Sequence, residues 1–372
     1  MKIGIDCRLY QETGIGRYIR NLIKNLEISD KKNDYVLFVL SKDVDKLNIQ
    51  NPKFRIVKTD IRWHTLSEQL RLPQILNKEN LDLMHFPYFS VPIYYKRPFV
   101  VTIHDLIINH FSTGKASTLP PYIYKLKFYS YKFVLNQAAK NAKKIIAVSQ
   151  ATKNEIVDYL KIKGNKIAVT YEGVDDKIRN SNIEIRNNLL NTKCKILNTK
   201  YFLYVGNAYP HKNLGRLLKA FKTIKPDVNL ALVIKRDYFY QRLKQKVDDL
   251  NLSEKVIFLD AVKDEELSAL YRNAIALVFP SLMEGFGLPV LEAMANNCLV
   301  LVSDIPSLKE ICVDGAVYFD PYNTQDIAEK MNKACLGEYP GKKEKALERS
   351  KYFSWEKMAR ETIKVYESCF SL

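Results

Sequence analysis

Residues 280–292 read Pro-Ser-Leu-Met-Glu-Gly-Phe-Gly-Leu-Pro-Val-Leu-Glu, and the residues just before them, Ala276-Leu277-Val278-Phe279, form an apolar run of the length and composition of a buried strand. Pro289 stands where a first-turn proline opens a helix that carries Leu291, Ala293 and Met294. Glu284 and Glu292 then flank a helix N-terminus, with its backbone N–H groups and the positive end of its dipole, while Gly285 and Gly287 let the backbone come close to a ligand. Such a place suits a diphosphate, with the two carboxylates accepting hydrogen bonds from sugar hydroxyls on either side. Taken residue by residue, the plainer account is a glutamate that favours a dipole and two glycines that make a tight loop.

The same strand, loop and helix order repeats on both sides of this stretch. Lys2–Asp6, Tyr35–Leu40, Phe54–Val57, Leu83–Phe86, Phe99–Ile103, Lys144–Val148 and Ile167–Thr170 are short β-branched or aromatic runs, separated by segments long enough for crossover helices. Between Asp175 and Lys200 the periodicity lapses into Asn, Lys, Ile and Asp. It restarts at Tyr201–Val205, Leu230–Ile234, Val256–Leu259, Ala274–Phe279, Leu299–Val302 and Ala316–Phe319. The pattern predicts an α/β fold of two doubly wound, Rossmann-like domains, 1–175 and 201–354, joined by a linker at 176–200 and followed by an amphipathic helix at 355–372. Ligand crevices lie at the carboxyl ends of such strands, so the expected active site is a cleft where the two domains face each other.

A length of 372 residues holds two or three ordinary domains, and 47% hydrophobic with 27% charged residues is the balance of a globular chain. The longest apolar runs fall far short of the roughly 20 residues that span a bilayer, and the N-terminus enters a strand pattern directly, so the reading is a cytoplasmic protein with no leader. The six cysteines, Cys7, Cys194, Cys298, Cys312, Cys335 and Cys369, are scattered without zinc or redox spacing. A formal net charge of +17 asks for an anionic partner or surface without naming one.

Other segments add candidate groups. Val205-Gly206-Asn207-Ala208-Tyr209-Pro210-His211-Lys212-Asn213 ends the first strand of the second domain, where backbone donors and the compact charge of Lys212 suit a pyrophosphate. Lys235 and Arg236 end another strand within reach of a nucleotide, although paired basic residues are as often surface. In the first domain, Gly14-Ile15-Gly16-Arg17 lacks the third glycine of a dinucleotide fingerprint. Thr102-Ile103-His104-Asp105 puts a histidine at a strand end, able to bond a sugar hydroxyl or shuttle a proton, beside a carboxylate suited to ordering a loop. Asp43-Val44-Asp45 has the spacing of an acidic metal pair but no third ligand, and reads as a solvated loop.

Glu-Gly-Phe-Gly-Leu-Pro with a second glutamate eight positions after the first resembles the signature of the retaining, two-domain glycosyltransferases of the GT-B fold, specifically glycosyltransferase family 4. The likeness extends to the Gly14 loop, the His-Asp strand end, Ala147-Val148-Ser149, the Gly206–Lys212 loop, and Ser303-Asp304 leading into Glu310. It implies that Glu284 holds donor-sugar hydroxyls and Glu292 the ribose. Gly287 and the neighbouring Gly285, Phe286 and Leu288 stabilise the leaving diphosphate together with Lys212, and His104 touches the sugar from the first domain. Glu284, His104 and Lys212 are therefore the expected catalytic residues. Gly14, Gly16, Arg17, Gly206, Asn207, Lys235, Arg236 and Val262 complete the expected donor site, with the base held through the backbone at Ala261-Val262.

The family often has an arginine at the position of Asn207, and glycines where Lys235 and Arg236 stand, so one phosphate contact is weaker here or comes from elsewhere. Glu172 and Gly173 resemble the segment that leaves the first domain, a hinge rather than a catalyst, and the last helix is expected to pack back on the first domain. No essential metal or other cofactor is implied. The Pro-His-Lys-Asn form of the loop is often seen in mannosyltransferases of surface polysaccharide assembly, which favours GDP-mannose as donor and a glycan or lipid-linked acceptor. A UDP-sugar donor, or a sugar-nucleotide epimerase of the same fold, is the alternative. A nicotinamide dehydrogenase lacks its fingerprint here, and no nucleic-acid-binding module is visible.

Residues 115–144 contain seven lysines, four tyrosines, two phenylalanines and no acidic residue. On a helix, Tyr122, Leu126, Tyr129 and Phe133 form one row and Tyr124, Phe128, Tyr131 and Leu135 a second. One row suffices for a core. The other suits peripheral contact with an anionic membrane, at its inner face for a cytoplasmic protein, or packing on another helix or subunit.

Overall fold

The structure, a computed structural model, describes residues 1–111, 120–179, 196, 199–260 and 262–370. The chain divides into two compact units, Met1–Gly173 with Ser354–Leu372, and Val174–Phe353.

The first unit is built on a parallel sheet of β1 (Lys2–Asp6), β2 (Asp34–Val39), β3 (Phe54–Lys58), β4 (Leu83–Phe86), β5 (Phe99–Ile103), β6 (Lys144–Ala147) and β7 (Ile167–Val169), in the order β3-β2-β1-β4-β5-β6-β7. Strands β4 and β5 are buried along their whole length, which is why they read as mainly apolar runs, broken only by His85 and Thr102, and not as alternating ones. The order reverses between β1 and β4, and this is the switch point where an open α/β sheet leaves a crevice. The helix Gly14–Ser29 follows β1 and buries Ile19, Leu22, Ile23 and Leu26. The final helix, Trp355–Ser368, is capped by Ser354, whose Oγ accepts from the Lys357 amide at 3.1 Å, and it packs on the helix Gly14–Ser29. A buried histidine fastens it: His85 on β4 meets Tyr366 Oη through Nδ1 at 2.7 Å and Thr102 Oγ1 through Nε2 at 2.8 Å. A Cβ on Gly173 would collide with the backbone of Ser354 and Trp355, so the return of the chain requires glycine there.

The second unit carries β8 (Tyr201–Gly206), β9 (Asn229–Ile234), β10 (Val256–Leu259), β11 (Ala276–Phe279), β12 (Val300–Ser303) and β13 (Val317–Phe319), again all parallel, ordered β10-β9-β8-β11-β12-β13. Its switch point lies between β8 and β11. All the strands expected from sequence are present, with ends displaced by two residues at most. The largest shift has a local cause: the Ala274 amide donates to Leu270 and closes the helix Asp264–Asn273, so β11 starts only at Ala276. Of the segment 176–200, only the helix Asp176–Arg179, Ile196, Thr199 and Lys200 are described. Arg179 there donates to the carbonyls of Ser350 and Phe353.

One local expectation holds only in part. Asp45 is exposed, but Asp43 is buried and pairs with Lys46 at 2.9 Å in the 3-10 turn Ser41–Lys46. Cys7, Cys298 and Cys312 are buried free thiols, while Cys194 lies outside the described residues. No described helix is long and apolar enough to cross a membrane.

Candidate active site

Strand β11 is wholly buried and delivers the chain into the loop that carries Glu284. The helix Leu288–Ala295 follows, with Gly287 as its N-cap at φ 103° and ψ 49° and Pro289 in its first turn. A Cβ on Gly287 would stand 2.8 Å from Leu308 Cδ2 in a conformation that side chains avoid, so this cap requires glycine. Among the described residues no side chain caps the helix, Pro289 has no N–H, and the Val290 and Leu291 amides turn back onto the Gly287 carbonyl. The helix start thus offers a ligand the Gly287 and Leu288 amides and the positive end of the dipole. Replacing Gly287 by Ala is expected to cost about 2–3 kcal/mol through the left-handed backbone and the Leu308 contact. Urea unfolding checks this, and a variant as stable as the native chain would show that the loop tolerates a side chain.

The loop after β8 meets the loop after β11 at the switch point. Lys212 Nζ donates to Glu284 Oε1 at 2.6 Å, with both side chains about one-tenth exposed, and the ammonium lies 5.3 Å from the Phe279 ring centre. Two contacts stitch these loops together. The Leu282 amide donates to the His211 carbonyl at 2.8 Å, and Asn213, left-handed at φ 59°, donates from Nδ2 to the carbonyls of Pro280 at 3.1 Å and Pro321 at 2.7 Å. Burial, and then the Lys212 charge, push the His211 pKa down to about 4, so its ring is neutral beside the lysine. Gly206, at φ 154°, leaves room for Tyr204 Oη, which donates to the Asn207 carbonyl at 2.7 Å.

Glu292 sits in the second turn of the same helix, 2% exposed, and its Oε2 accepts from Tyr271 Oη at 3.0 Å. Asn207 Oδ1 accepts from the Tyr209 amide at 3.3 Å, and Phe286 is buried edge-on to Phe353. Lys235 and Arg236 are exposed, with Arg236 Nε 3.2 Å from Asp260; Val262 is half-buried, and Ala261 lies outside the described residues. Ser281, two residues after β11, buries a hydroxyl that has no hydrogen-bond partner among the described residues. Sequence reasoning passed over Asn213 and Ser281, because neither residue type stands out in a loop.

In the first unit, His104 follows β5. Its Nδ1 lies 3.3 Å from Glu172 Oε1 and its Nε2 donates to the Pro87 carbonyl at 3.0 Å, with the ring edge-on to Tyr18. Burial favours the neutral ring, but the Glu172 hydrogen bond and charge, with the Pro87 carbonyl, outweigh it and raise the pKa. Glu172 is therefore the partner that orients His104. Asp105 orders the following turn by accepting from the Ile107 amide at 2.9 Å. Gly14 is exposed, Gly16 is packed 2.6 Å (as a Cβ) from the Tyr10 carbonyl, and Arg17 is half-buried in the first turn of the helix Gly14–Ser29.

A buried charge cluster at the end of β1 was not anticipated. Arg8, 2% exposed, donates to Asp6 Oδ2 at 2.6 Å and Glu68 Oε1 at 2.7 Å. The Asp6-x-Arg8 spacing at a strand end was its only local signal. Among the described residues, no three His, Cys, Asp or Glu side chains group as metal ligands.

Residues 13–178 match the model of Glycosyltransferase Family 4, and residues 189–352 that of Glycosyl transferases group 1. The chain is 33% identical over 259 residues to the O-antigen chain mannosyltransferase RfbU of Salmonella typhimurium, a match spanning 70% of this chain and just under two thirds (66%) of that one. It is 27% identical to the O-antigen chain mannosyltransferase B of Escherichia coli over 96% of this chain and 97% of that one. The sucrose-phosphate synthase of Thermosynechococcus elongatus superposes with a TM-score of 0.80 at 18% identity, covering 100% of this chain and 99% of the other. With a family model on each half and the fold shared end to end, the chain belongs to the GT-B glycosyltransferases of family 4.

Proposed function

We propose that this glycosyltransferase moves mannose from GDP-mannose to a hydroxyl of a glycan or lipid-linked acceptor in surface polysaccharide assembly, with retention at the anomeric carbon and no essential metal. The observation that carries the reading is the Lys212–Glu284 pair beside the Gly287 helix cap at the switch point. One small volume holds a cation and amides for a diphosphate and a carboxylate for sugar hydroxyls. The mannosyl choice rests on the O-antigen relatives. As the anomeric C–O bond breaks, its electron pair goes to the diphosphate, and the Lys212 ammonium and the Gly287 and Leu288 amides meet the growing charge. The acceptor oxygen bonds to the same face of the sugar, and its proton leaves to a departing diphosphate oxygen. Glu284 and Glu292 hold donor-sugar and ribose hydroxyls.

Thermal unfolding against a panel of GDP- and UDP-sugars tests the donor. Binding to the native state alone adds about 2.7 kcal/mol of stability at a hundredfold excess over Kd, so GDP-mannose should raise the midpoint by several degrees and UDP-sugars should not. Protection by UDP-sugars alone replaces the donor, and an epimerised product without transfer replaces the reaction. Lys212→Ala should weaken GDP binding about tenfold or more, since a charge-assisted hydrogen bond is worth roughly 1.5–3 kcal/mol. Transfer should continue in EDTA.

A further inference from the structure

The helix Pro121–Asn141 has more apolar surface than its own unit buries. Tyr124, Phe128, Tyr131 and Leu135 form the inward row: Leu135 is fully buried, Phe128 stacks between Tyr124 and Tyr131, and Tyr131 lies edge-on to Phe89 at 4.8 Å. The opposite row is bare. Tyr122 is 73% exposed, Leu126 69%, Tyr129 66% and Phe133 52%. Packing thus settles which row belongs to the core, a choice that helical periodicity left open.

A second bare patch lies close by. Leu66 and Leu70 project from the start of the helix Leu66–Lys78, and Tyr94 follows Ile93, whose amide donates to the Gln69 side chain. His64, two residues before Leu66, packs on Tyr88 and Phe89, and Phe89 carries Tyr131 of the longer helix. Both patches are rooted in one aromatic cluster. Both helices also begin after strands of the parallel sheet, β3 and β5, and so at the carboxyl edge where His104 stands.

The charge beside these rows names the partner. Lys125, Lys127 and Lys140 are exposed, Lys132 lies over the Phe128 and Tyr159 rings at 4.7 and 5.6 Å, and no acidic residue occurs from 115 to 144. A subunit interface concentrates apolar residues and depletes lysine, whereas rings interleaved with lysines suit the headgroup region of an anionic bilayer. We propose that this face docks the protein on an anionic lipid bilayer, with the Tyr122, Leu126, Tyr129 and Phe133 row lying in the interface plane and the lysines on lipid headgroups. The docked face shares its edge of the sheet with His104. A lipid-linked acceptor would then be met at the membrane surface, a consequence that rests on the glycosyltransferase reading, while the docking itself does not.

Co-sedimentation of the full chain with vesicles tests the proposal without any sugar donor. With phosphatidylglycerol and phosphatidylcholine vesicles the protein should pellet, and with phosphatidylcholine alone at least tenfold less. Raising salt to 0.5 M should release it, because the Debye length falls to about 4 Å. Lys125→Glu with Lys127→Glu should weaken partitioning at least about twentyfold, as each basic residue near such a surface contributes roughly fivefold. Leu126→Ser with Phe133→Ser should weaken it at least about tenfold even at low salt, by withdrawing the apolar anchor. All four residues are exposed, so the melting midpoint should hold. If a variant fails to fold, hydrogen exchange of the native chain must still show protection by anionic vesicles at the starts of these two helices. Equal pelleting with both vesicle types, no pelleting, or variants that bind like the native chain overturn the proposal. So does a native dimer that Leu126→Ser with Phe133→Ser dissociates, since the face would then be a subunit contact.

Discussion

Glu284→Gln is expected to lower turnover about 10²- to 10³-fold while leaving the chain folded. The carboxylate accepts from Lys212 at 2.6 Å and is about nine-tenths buried, so its charge acts in a medium where an oriented group of this kind is worth roughly 3–4 kcal/mol to a transition state. Gln keeps the shape and one acceptor oxygen for Lys212. The stability loss is therefore held to about 1–2 kcal/mol, well short of the 3–5 kcal/mol of a broken buried pair. Binding of the diphosphate should move the other way: with the carboxylate neutralised, Lys212 is freed for phosphate, and GDP should bind as tightly as before or more so. Turnover, near-UV dichroism and GDP calorimetry on the same preparation check all three. Turnover within fivefold of the native chain would remove Glu284 from the reaction, and parallel losses of turnover and GDP affinity would point to a distorted loop.

Acidification from pH 7 to pH 4 should remove about 3 kcal/mol of stability through His85 alone. Burial holds the His85 pKa down to about 3, against about 6.5 in an unfolded chain, because the ring is shut between Thr102 and Tyr366 beneath the final helix. For a depressed pKa the unfolded state takes up the proton first. The stabilisation is whole above about pH 6.5 and is lost as pH falls toward 3. His211 acts in the same sense in the second unit, its pKa held at about 4. His104 acts in the opposite sense: its raised pKa adds stability below about pH 6.5 that disappears as pH rises through the folded value. Melting midpoints from pH 7 to pH 4 check the balance for the native chain and for His85→Gln, which cannot titrate but can still bond one of the two hydroxyls. His85→Gln should be less stable at pH 7 and show a flatter acid limb. Identical limbs would place the acid sensitivity elsewhere.

The strands, their parallel arrangement and the loop that carries Glu284 were legible in the sequence, because each is a local pattern. A strand such as Ala276–Phe279, buried on both faces, reads as an unbroken apolar run, and a loop meant for a diphosphate needs glycine, proline and a carboxylate within a few positions. Tertiary structure decided what depends on contacts between residues far apart in the chain. Lys212 meets Glu284 across 72 positions, Asn213 is held by the Pro321 carbonyl across 108, and Tyr366 reaches His85 across 281. A single sequence without those contacts shows only that each residue is polar. The same holds for Arg8, whose burial between Asp6 and Glu68 depends on where the helix Leu66–Lys78 lies. It holds too for the two aromatic rows of the helix Pro121–Asn141, which periodicity makes equivalent. Phe89 packs against Tyr131 on one side, while on the other Tyr129 stays 66% exposed among the described residues, so burial of apolar area against that neighbour chose the core face.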